Sequence, residues 1–209
     1  MPELINTLWS QVQGMAAWEL LAVVCALIYL ALAMLEKISC WYFAFVSTAI
    51  YTVIFWKVSL LMESALQIYY LFMAVFGWWQ WRRPKDESAA LEIHCWTWRQ
   101  HLIAVALILV LSVASGTLLQ QFSQAAMPFL DSFTTWGAVI TTYMVARKVL
   151  ENWIYWFVID GISIYLYLDR GLVFTAALFV LYEIMVVMGF WHWRRQMQQS
   201  KASAGLQAA

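Results

Sequence analysis

The chain has 209 residues, of which 64% are hydrophobic, 17% aromatic and only 11% charged, and its formal net charge is zero. A soluble core of this size cannot bury so much apolar surface, so the composition excludes a soluble globular protein. It predicts a polytopic membrane protein, and the balanced charge gives no indication of nucleic-acid binding.

A helix of about 20 apolar residues crosses the hydrocarbon core of a bilayer. We expect residues 1–16, which lack the basic start of a cleavable signal, to form a short periplasmic segment or an interfacial helix. Residues 196–209 are expected to form a cytoplasmic tail, whose small and polar residues 200–209 are expected to be disordered. Seven windows are predicted to span the membrane, at residues 17–35, 38–56, 59–81, 102–121, 128–147, 152–168 and 171–193.

The basic residues are distributed unevenly between the two sides of the membrane. Ten of the twelve follow spans 1, 3, 5 and 7, whereas only Lys57 and Arg170 fall on the other side. Cytoplasmic loops carry an excess of Lys and Arg, so we expect the N-terminus outside and the C-terminus in the cytoplasm. An even number of spans would spoil this partition, so the charges also favour seven.

The sequence matches itself when it is shifted by 112 positions. Trp41 then meets Trp153, and both halves end in the same Gly-x-Trp-x-Trp-Arg-Arg sequence. The shift crosses four spans, so corresponding helices run in the same direction. We therefore predict an all-α membrane protein with a 3+1+3 arrangement. Its parts are two parallel three-helix repeats at 17–83 and 128–195, a cytoplasmic loop at 84–101 and a connector helix at 102–121.

Helical spacing places polar and aromatic side chains on shared faces of several spans. On span 6, Trp153, Trp156 and Asp160 recur at intervals of three or four residues. A charge at bilayer depth costs roughly 2.5–3.5 kcal/mol, so an isolated acid there indicates a functional site. The predicted substrate-binding residues, expected at the interface of the two repeats, are Trp41, Thr48, Tyr51, Glu63, Gln67, Tyr70, Trp153, Trp156, Asp160, Tyr182 and Glu183.

Aromatic faces combined with acids suit a planar organic cation, because each ring offers cation–π attraction of about 0.5–2 kcal/mol. The alternative for Asp160 is a structural hydrogen bond between helices, and for Glu183 the functional and structural interpretations are balanced. The cysteines and histidines show no metal-ligand spacing. Four tryptophans beside arginine pairs are interpreted as an aromatic belt at the membrane surface, namely Trp79, Trp81, Trp191 and Trp193.

Three motifs resemble the PnuC family of bacterial vitamin transporters. They are Leu35-Glu36-Lys37-Ile38-Ser39, Gly77-Trp78-Trp79-Gln80-Trp81 and Arg147-Lys148-x-x-Glu151-Asn152-Trp153-x-x-Trp156-x-x-x-Asp160. The resemblance covers roughly residues 17–195. It implies an inner-membrane carrier, not an enzyme, with a fold similar to the SWEET sugar carriers and without a cofactor. It also implies a homo-oligomer, a trimer, and facilitated diffusion of a small vitamin that a cytoplasmic kinase then traps by phosphorylation.

The resemblance leaves the vitamin open, because members of the family carry nicotinamide riboside and relatives are assigned to thiamine or riboflavin. Nicotinamide riboside carriers of the family tend to have asparagine at the positions of Asp160, Ser47 and Val75. An acid at 160 can satisfy a thiazolium charge, which favours thiamine slightly, with nicotinamide riboside as the alternative. Two other classes are considered: an intramembrane enzyme using Asp160 and Glu183, which lacks a nucleophile motif, and a sugar or ion-coupled carrier.

Overall fold

The computed structural model describes residues 17–57, 61–82, 91–122, 127–169 and 173–207. Within these ranges the chain is almost entirely helical, and its only β contact is one isolated bridge between His94 and Val149. The seven predicted helices are confirmed. They are α1 (Ala17–Met34), α2 (Cys40–Lys57), α3 (Leu61–Trp81), α4 (Trp98–Phe122), α5 (Pro128–Ala146), α6 (Asn152–Asp169) and α7 (Val173–Gln207).

Two helices extend well beyond their predicted spans. α4 begins at Trp98, within the predicted loop 84–101, and α7 continues to Gln207. The prediction of a disordered tail is therefore wrong for residues 200–207. Five of these eight residues are alanine, lysine, leucine or glutamine, which are good helix formers, so α7 extends well past the end of its apolar part. The predicted periplasmic segment 1–16 lies outside the described residues.

Three of the described helical stretches are long and apolar enough to cross a membrane: Ala17–Met34, Trp98–Phe122 and Thr175–Ser203. A shorter apolar stretch covers Cys40–Ile54. α5 and α6 carry buried polar residues, among them Thr141, Asn152 and Asp160, that lower their hydropathy. These polar residues face other helices, which is where polar groups are tolerated in a membrane protein.

The helices pack as two groups of three with one additional helix. α2 packs between α1 and α3, α6 packs between α5 and α7, and α4 lies against α5. Between the groups, α1 packs against α7 and α3 packs against α5. In each of these two contacts the first helix of one group packs against the third helix of the other group. This packing has the symmetry that the predicted 3+1+3 duplication requires.

The connector α4 presents one narrow face to the rest of the protein. Its buried residues Ala104, Ile108, Ser112 and Gly116 recur every four positions, while the remaining faces carry exposed leucine, isoleucine and valine. Gly116 provides the closest approach, because a Cβ there would overlap the Phe129 ring of α5. α4 thus presents most of its apolar surface outward, as a lipid-facing connector would.

The ends of α1 and α5 have the same geometry. Glu36, two residues beyond α1, has φ of 50°, and Lys148, at the corresponding position beyond α5, has φ of 54°. In both turns a 6→1 and a 5→2 backbone hydrogen bond close the helix, at 2.9 and 3.1 Å after α1 and at 2.9 and 3.0 Å after α5. This is the Schellman motif, whose left-handed position usually holds glycine. A non-glycine residue in such a conformation costs about 1–3 kcal/mol.

Matching tryptophan and glycine pairs occur in the two groups of helices. A Cβ at Gly77 would overlap the indole of Trp41, and a Cβ at Gly189 would overlap the indole of Trp153. Each indole lies so close to the opposite helix that only glycine fits there. Because the two pairs are 112 positions apart, they support the duplication inferred from the sequence.

Part of the predicted cytoplasmic loop lies against the turn after α5. The backbone N–H of His94 donates to the Lys148 carbonyl at 3.2 Å, and the N–H of Leu150 donates to the His94 carbonyl at 2.8 Å. The Trp96 N–H donates to the Glu151 carboxylate at 3.2 Å. These bonds attach residues 94–96 to the start of the Glu151-Asn152-Trp153 signature.

Candidate functional site

Asp160 is the most deeply buried acid of the described residues, with 5% of its surface exposed. Its carboxyl lies close enough to the Glu183 carboxyl and to the hydroxyls of Tyr70 and Tyr182 for electrostatic interaction. Ser163, one turn further along α6, donates its hydroxyl to the Ile159 carbonyl at 2.9 Å and is not available to the acid. In the described part of the chain no hydrogen bond reaches the Asp160 carboxyl. A buried acid to which no described residue donates is suited to an external cation or donor.

Tyrosines from both groups of helices surround this acid. Tyr51 of α2 and Tyr70 of α3 interact electrostatically with Tyr167 of α6, and Tyr51 and Tyr167 both interact with Tyr182 of α7. The structure therefore brings together five of the predicted substrate-binding residues. They are Tyr51, Tyr70, Asp160, Tyr182 and Glu183.

Two further tyrosines lie near this cluster, of which the sequence predicts Tyr167 on the same face as Asp160 and gives no such prediction for Tyr29. Tyr167 shares the Asp160 face by helical spacing, and its ring lies 5.0 Å from Phe179 of α7. Tyr29 of α1 interacts electrostatically with Tyr70 and lies 5.9 Å from the Trp41 ring. The available signal for Tyr29 was a single phenol in an otherwise apolar span, because a hydroxyl at that depth needs a polar partner.

Glu183 lies at the boundary between this tyrosine cluster and the outer surface. A Cβ at Gly161 would come within 3.3 Å of its Oε1, and its Oε2 is buried without a hydrogen-bond partner among the described residues. It also lines an open cleft of about 460 Å³ between α5, α6 and α7, together with Leu130, Phe157, Val158, Gly161, Ile162 and Tyr165. The aromatic and aliphatic side chains of α6 in this cleft point outward, so the cleft faces the surrounding lipid.

The other polar candidates make local contacts or fall outside the description. Thr48 donates its hydroxyl to the Ala44 carbonyl of its own helix at 2.8 Å. Gln67 is half-buried on α3, and the side chain of Glu63 lies outside the described residues. The Thr48 hydroxyl is therefore already used within its own helix, and Gln67 is less buried than Asp160.

Two of the departures from the family pattern lie away from the acid. Ser47 donates its hydroxyl to the Ala22 carbonyl of α1 at 2.8 Å, and Val75 points outward with 54% of its surface exposed. Neither side chain is directed at the tyrosine cluster. Of the three positions that depart from the pattern, only Asp160 changes the chemistry of this cluster.

Four tryptophans form a closed cluster at one end of the helices. The rings of Trp41 and Trp81 meet edge-on at 5.4 Å and 85°, and those of Trp153 and Trp193 meet at 5.3 Å and 89°. Trp81 and Trp193 meet each other across the two groups at 6.1 Å. The substrate-binding candidates Trp41 and Trp153 are therefore buried in ring contacts. Their indole N–H groups have no hydrogen-bond partner in the described ranges.

The aromatic-belt interpretation is wrong for Trp193, and Trp81 is half-buried. Trp193 is fully buried, and its Nε1 donates to the Ala33 carbonyl of α1 at 3.1 Å. The Nε1 of Trp81 donates to the Ala146 carbonyl of α5 at 3.2 Å. Proximity to arginine pairs suggested a surface position, but packing between the two groups buries the Trp193 ring and partly covers the Trp81 ring. Two other tryptophans of the predicted belt, Trp79 and Trp191, are exposed.

Trp156 connects the tryptophan cluster with the acid. It packs against both buried apolar clusters of the described residues, and it lies one turn before Asp160 on α6. The site therefore consists of a carboxyl surrounded by phenols and bounded on one side by indoles. Nothing in the described ranges groups three or more His, Cys, Asp or Glu side chains as a metal ligand set. The arrangement is suited to an organic cation.

The model of the nicotinamide mononucleotide transporter family matches residues 16–195. The chain belongs to this transporter family. It is therefore a membrane protein of the PnuC type, and its family transports small vitamins. This confirms the predicted family and function class.

Several relatives of this family are similar over most of the chain. The nicotinamide riboside transporter PnuC of Escherichia coli (strain K12) is 22% identical over 201 residues, covering 84% of each chain. PnuC of Haemophilus influenzae (strain ATCC 51907 / DSM 11121 / KW20 / Rd) is 24% identical and covers 94% of this chain and 88% of its own. The riboflavin/roseoflavin transporter RibM of Streptomyces davaonensis (strain DSM 101723 / JCM 4913 / KCC S-0913 / 768) is 27% identical over 124 residues, or 58% of each chain.

The crystal structure of the vitamin B3 transporter PnuC superimposes with a TM-score of 0.70. It is 22% identical and covers 94% of this chain and 90% of its own, so it shows the same fold. None of these relatives is named for thiamine, and the slight preference for thiamine drawn from Asp160 therefore lacks support. Nicotinamide riboside, the alternative, agrees better with them.

Proposed function

We propose that this protein imports nicotinamide riboside, a pyridinium nucleoside, across the bacterial inner membrane. The observation that carries the proposal is the Asp160 carboxyl, which is 5% exposed and accepts no hydrogen bond from a described residue. Its neighbours Tyr70 and Tyr182 provide hydroxyls for a sugar and aromatic faces for a ring. A pyridinium cation is the complement of such a site, and two relatives named for nicotinamide riboside support this choice.

The proposed orientation has the N-terminus outside and the C-terminus in the cytoplasm, following the distribution of basic residues. Transport is facilitated diffusion, and a cytoplasmic kinase retains the vitamin by adding a charged phosphate. The protein itself carries no catalytic role or cofactor in this proposal. We propose assembly as a homo-oligomer, a trimer, on the resemblance to the PnuC family.

Riboflavin is the second candidate, because RibM matches part of the chain. Riboflavin is uncharged, so binding it would leave a buried carboxyl without a compensating charge, which is unfavourable. The acid at position 160 therefore favours the cationic vitamin over the neutral one.

Calorimetry on the purified protein in detergent tests the choice with nicotinamide riboside, thiamine and riboflavin in parallel. We expect binding of nicotinamide riboside at micromolar or lower Kd and at least about tenfold weaker binding of the other two. Uptake into liposomes containing a trapped kinase checks that binding leads to transport. Preferential binding of thiamine or riboflavin, or no heat with any of the three, would contradict the proposal.

A further inference from the structure

Glu36 and Lys148 form an ion pair between the two groups of helices. Lys148 Nζ lies 2.8 Å from Glu36 Oε2, and only 12% of the lysine side chain and 14% of the glutamate side chain are exposed. The residues are 112 positions apart, so each occupies the corresponding left-handed position of its group. The pair therefore joins equivalent positions of the two groups of helices with opposite charges.

The backbone at these two positions is better suited to glycine, and its strain needs a reason. A residue kept in a strained conformation indicates that its side chain has a role that glycine cannot fill. Here the two side chains reach each other across the interface, and Lys148 Nζ also lies 5.0 Å above the ring of Trp81. The other oxygen of Glu36, Oε1, is buried without a hydrogen-bond partner in the described ranges.

The contacts beneath the ion pair also cross between the groups. The indole N–H of Trp81 in α3 donates to a carbonyl of α5, and that of Trp193 in α7 donates to a carbonyl of α1. The two rings meet at 6.1 Å. We call these four residues, Glu36, Trp81, Lys148 and Trp193, the closing layer. These contacts join the two groups of helices at this end.

We propose that the closing layer is the cytoplasmic gate of the transport path, and that the Glu36–Lys148 ion pair stabilises its closed state. The layer lies at the end that carries Lys37, Arg82 and Arg147, which is the cytoplasmic end by the positive-inside rule. A carrier must open one end at a time, so the two groups separate here when the solute is released. The proposal rests on transport by this family and not on which vitamin is carried.

The accessibility of a native cysteine, Cys40, can be used to measure how often this gate opens. Cys40, the first residue of α2, is fully buried in the apolar cluster with Ala33, Trp41 and Ala146. It lies close enough to Lys148 for electrostatic interaction. Its thiol is therefore reachable from water only when the layer opens. Replacing Cys25 and Cys95 by serine leaves Cys40 as the single thiol, because the chain has three cysteines.

The experiment measures the rate at which a membrane-impermeant maleimide labels Cys40 in inside-out vesicles. We expect Glu36→Gln or Lys148→Gln to speed labelling about ten- to a hundredfold, the range implied by losing one charge-assisted hydrogen bond. The exchanged pair Glu36→Lys/Lys148→Glu restores slow labelling, and so also shows that a fast single variant is folded. Right-side-out vesicles are expected to label slowly in every case.

Arg82→Gln is the matched control, because Arg82 lies at the same end and stacks 5.0 Å above the ring of Trp78 within its own helix. It removes a positive charge without touching the closing layer, so labelling should stay at the parent rate. The gate proposal is wrong if the rate of Cys40 labelling is unchanged in both single variants, or if Arg82→Gln raises that rate as much as they do. Failure of nicotinamide riboside to bind would instead refute the proposed substrate and leave the labelling result intact.

Discussion

Replacing Asp160 by asparagine tests whether this acid compensates the charge of the transported vitamin. The side chain keeps its size and one acceptor oxygen, so the packing of α6 is conserved. What is lost is the negative charge of a residue that is 5% exposed and close to Tyr70, Tyr182 and Glu183. The binding of a cation should suffer, whereas the binding of an uncharged analogue should not.

The magnitude follows from Coulomb's law. Two unit charges about 5 Å apart interact by roughly 3 kcal/mol at an effective dielectric constant of about 20. The resemblance to the PnuC family places asparagine here in carriers of nicotinamide riboside, so an amide also serves this vitamin and retains much of the attraction, and we expect a loss of about 1–1.5 kcal/mol. That corresponds to a Kd for nicotinamide riboside raised about 5- to 12-fold.

The assay uses calorimetry with two ligands that differ chiefly in charge, nicotinamide riboside and its reduced, uncharged dihydro form. For the reduced nucleoside we expect the Kd of Asp160→Asn to stay within about threefold of the parent value. The comparison forms a thermodynamic cycle in which general damage to the site cancels. Equal weakening of both ligands, or no weakening of either, would refute the charge-compensating role.

Three further predictions concern packing, polar contacts and reactivity. Gly189→Ala should lower the free energy of unfolding by about 1–3 kcal/mol, because its Cβ overlaps the buried Trp153 ring. Gly161→Ala, which meets only the flexible end of Glu183, should change it much less; equal melting temperatures in detergent would contradict this reasoning. Tyr69→Phe should cost about 1 kcal/mol by the same measurement, because the Tyr69 hydroxyl donates to the Val139 carbonyl of the other group at 2.7 Å. Partial burial, and then the adjacent Glu151, raise the pKa of the exposed Cys95 thiol. The fraction of thiolate at pH 8 is therefore smaller for Cys95 than for a free thiol, so iodoacetamide should alkylate Cys95 more slowly than it alkylates glutathione. Glu151→Gln should accelerate this reaction. Alkylation of Cys95 at the glutathione rate would contradict the raised pKa.

The helices could be predicted well because their signal is local. Continuous apolar runs bounded by polar residues placed α1, α2, α3, α5 and α6 within a few residues of their observed limits. The errors occurred where the apolar signal ends before the helix does, as in α7 beyond Arg195. There the backbone continues as a helix on residue propensity alone, which a hydropathy window cannot detect.

The candidate site was predicted only in part. Asp160, Tyr70 and Tyr182 could be proposed because a polar group within an apolar span needs a partner. Their convergence required the packing of α3, α6 and α7. Trp153 shares the periodic face of the acid on α6, and Trp41 lies on the matching face of α2, but both rings pack against glycines of α7 and α3 in a closed cluster. Helical spacing predicts the face of a helix on which a side chain lies, but it does not predict which residue of another helix that side chain contacts.

By itself the sequence determined the number of helices, their order and the family, because these depend on hydropathy and on motifs within single segments. Only the tertiary structure decided which residues meet across the two groups. Glu36 and Lys148 are equivalent positions in the sequence match, yet nothing in the sequence indicates that they touch. They form an ion pair because packing between the two groups of helices brings the ends of α1 and α5 together. The same packing brings the rings of Trp81 and Trp193 together, so that Trp193 is buried and Trp81 is half-buried.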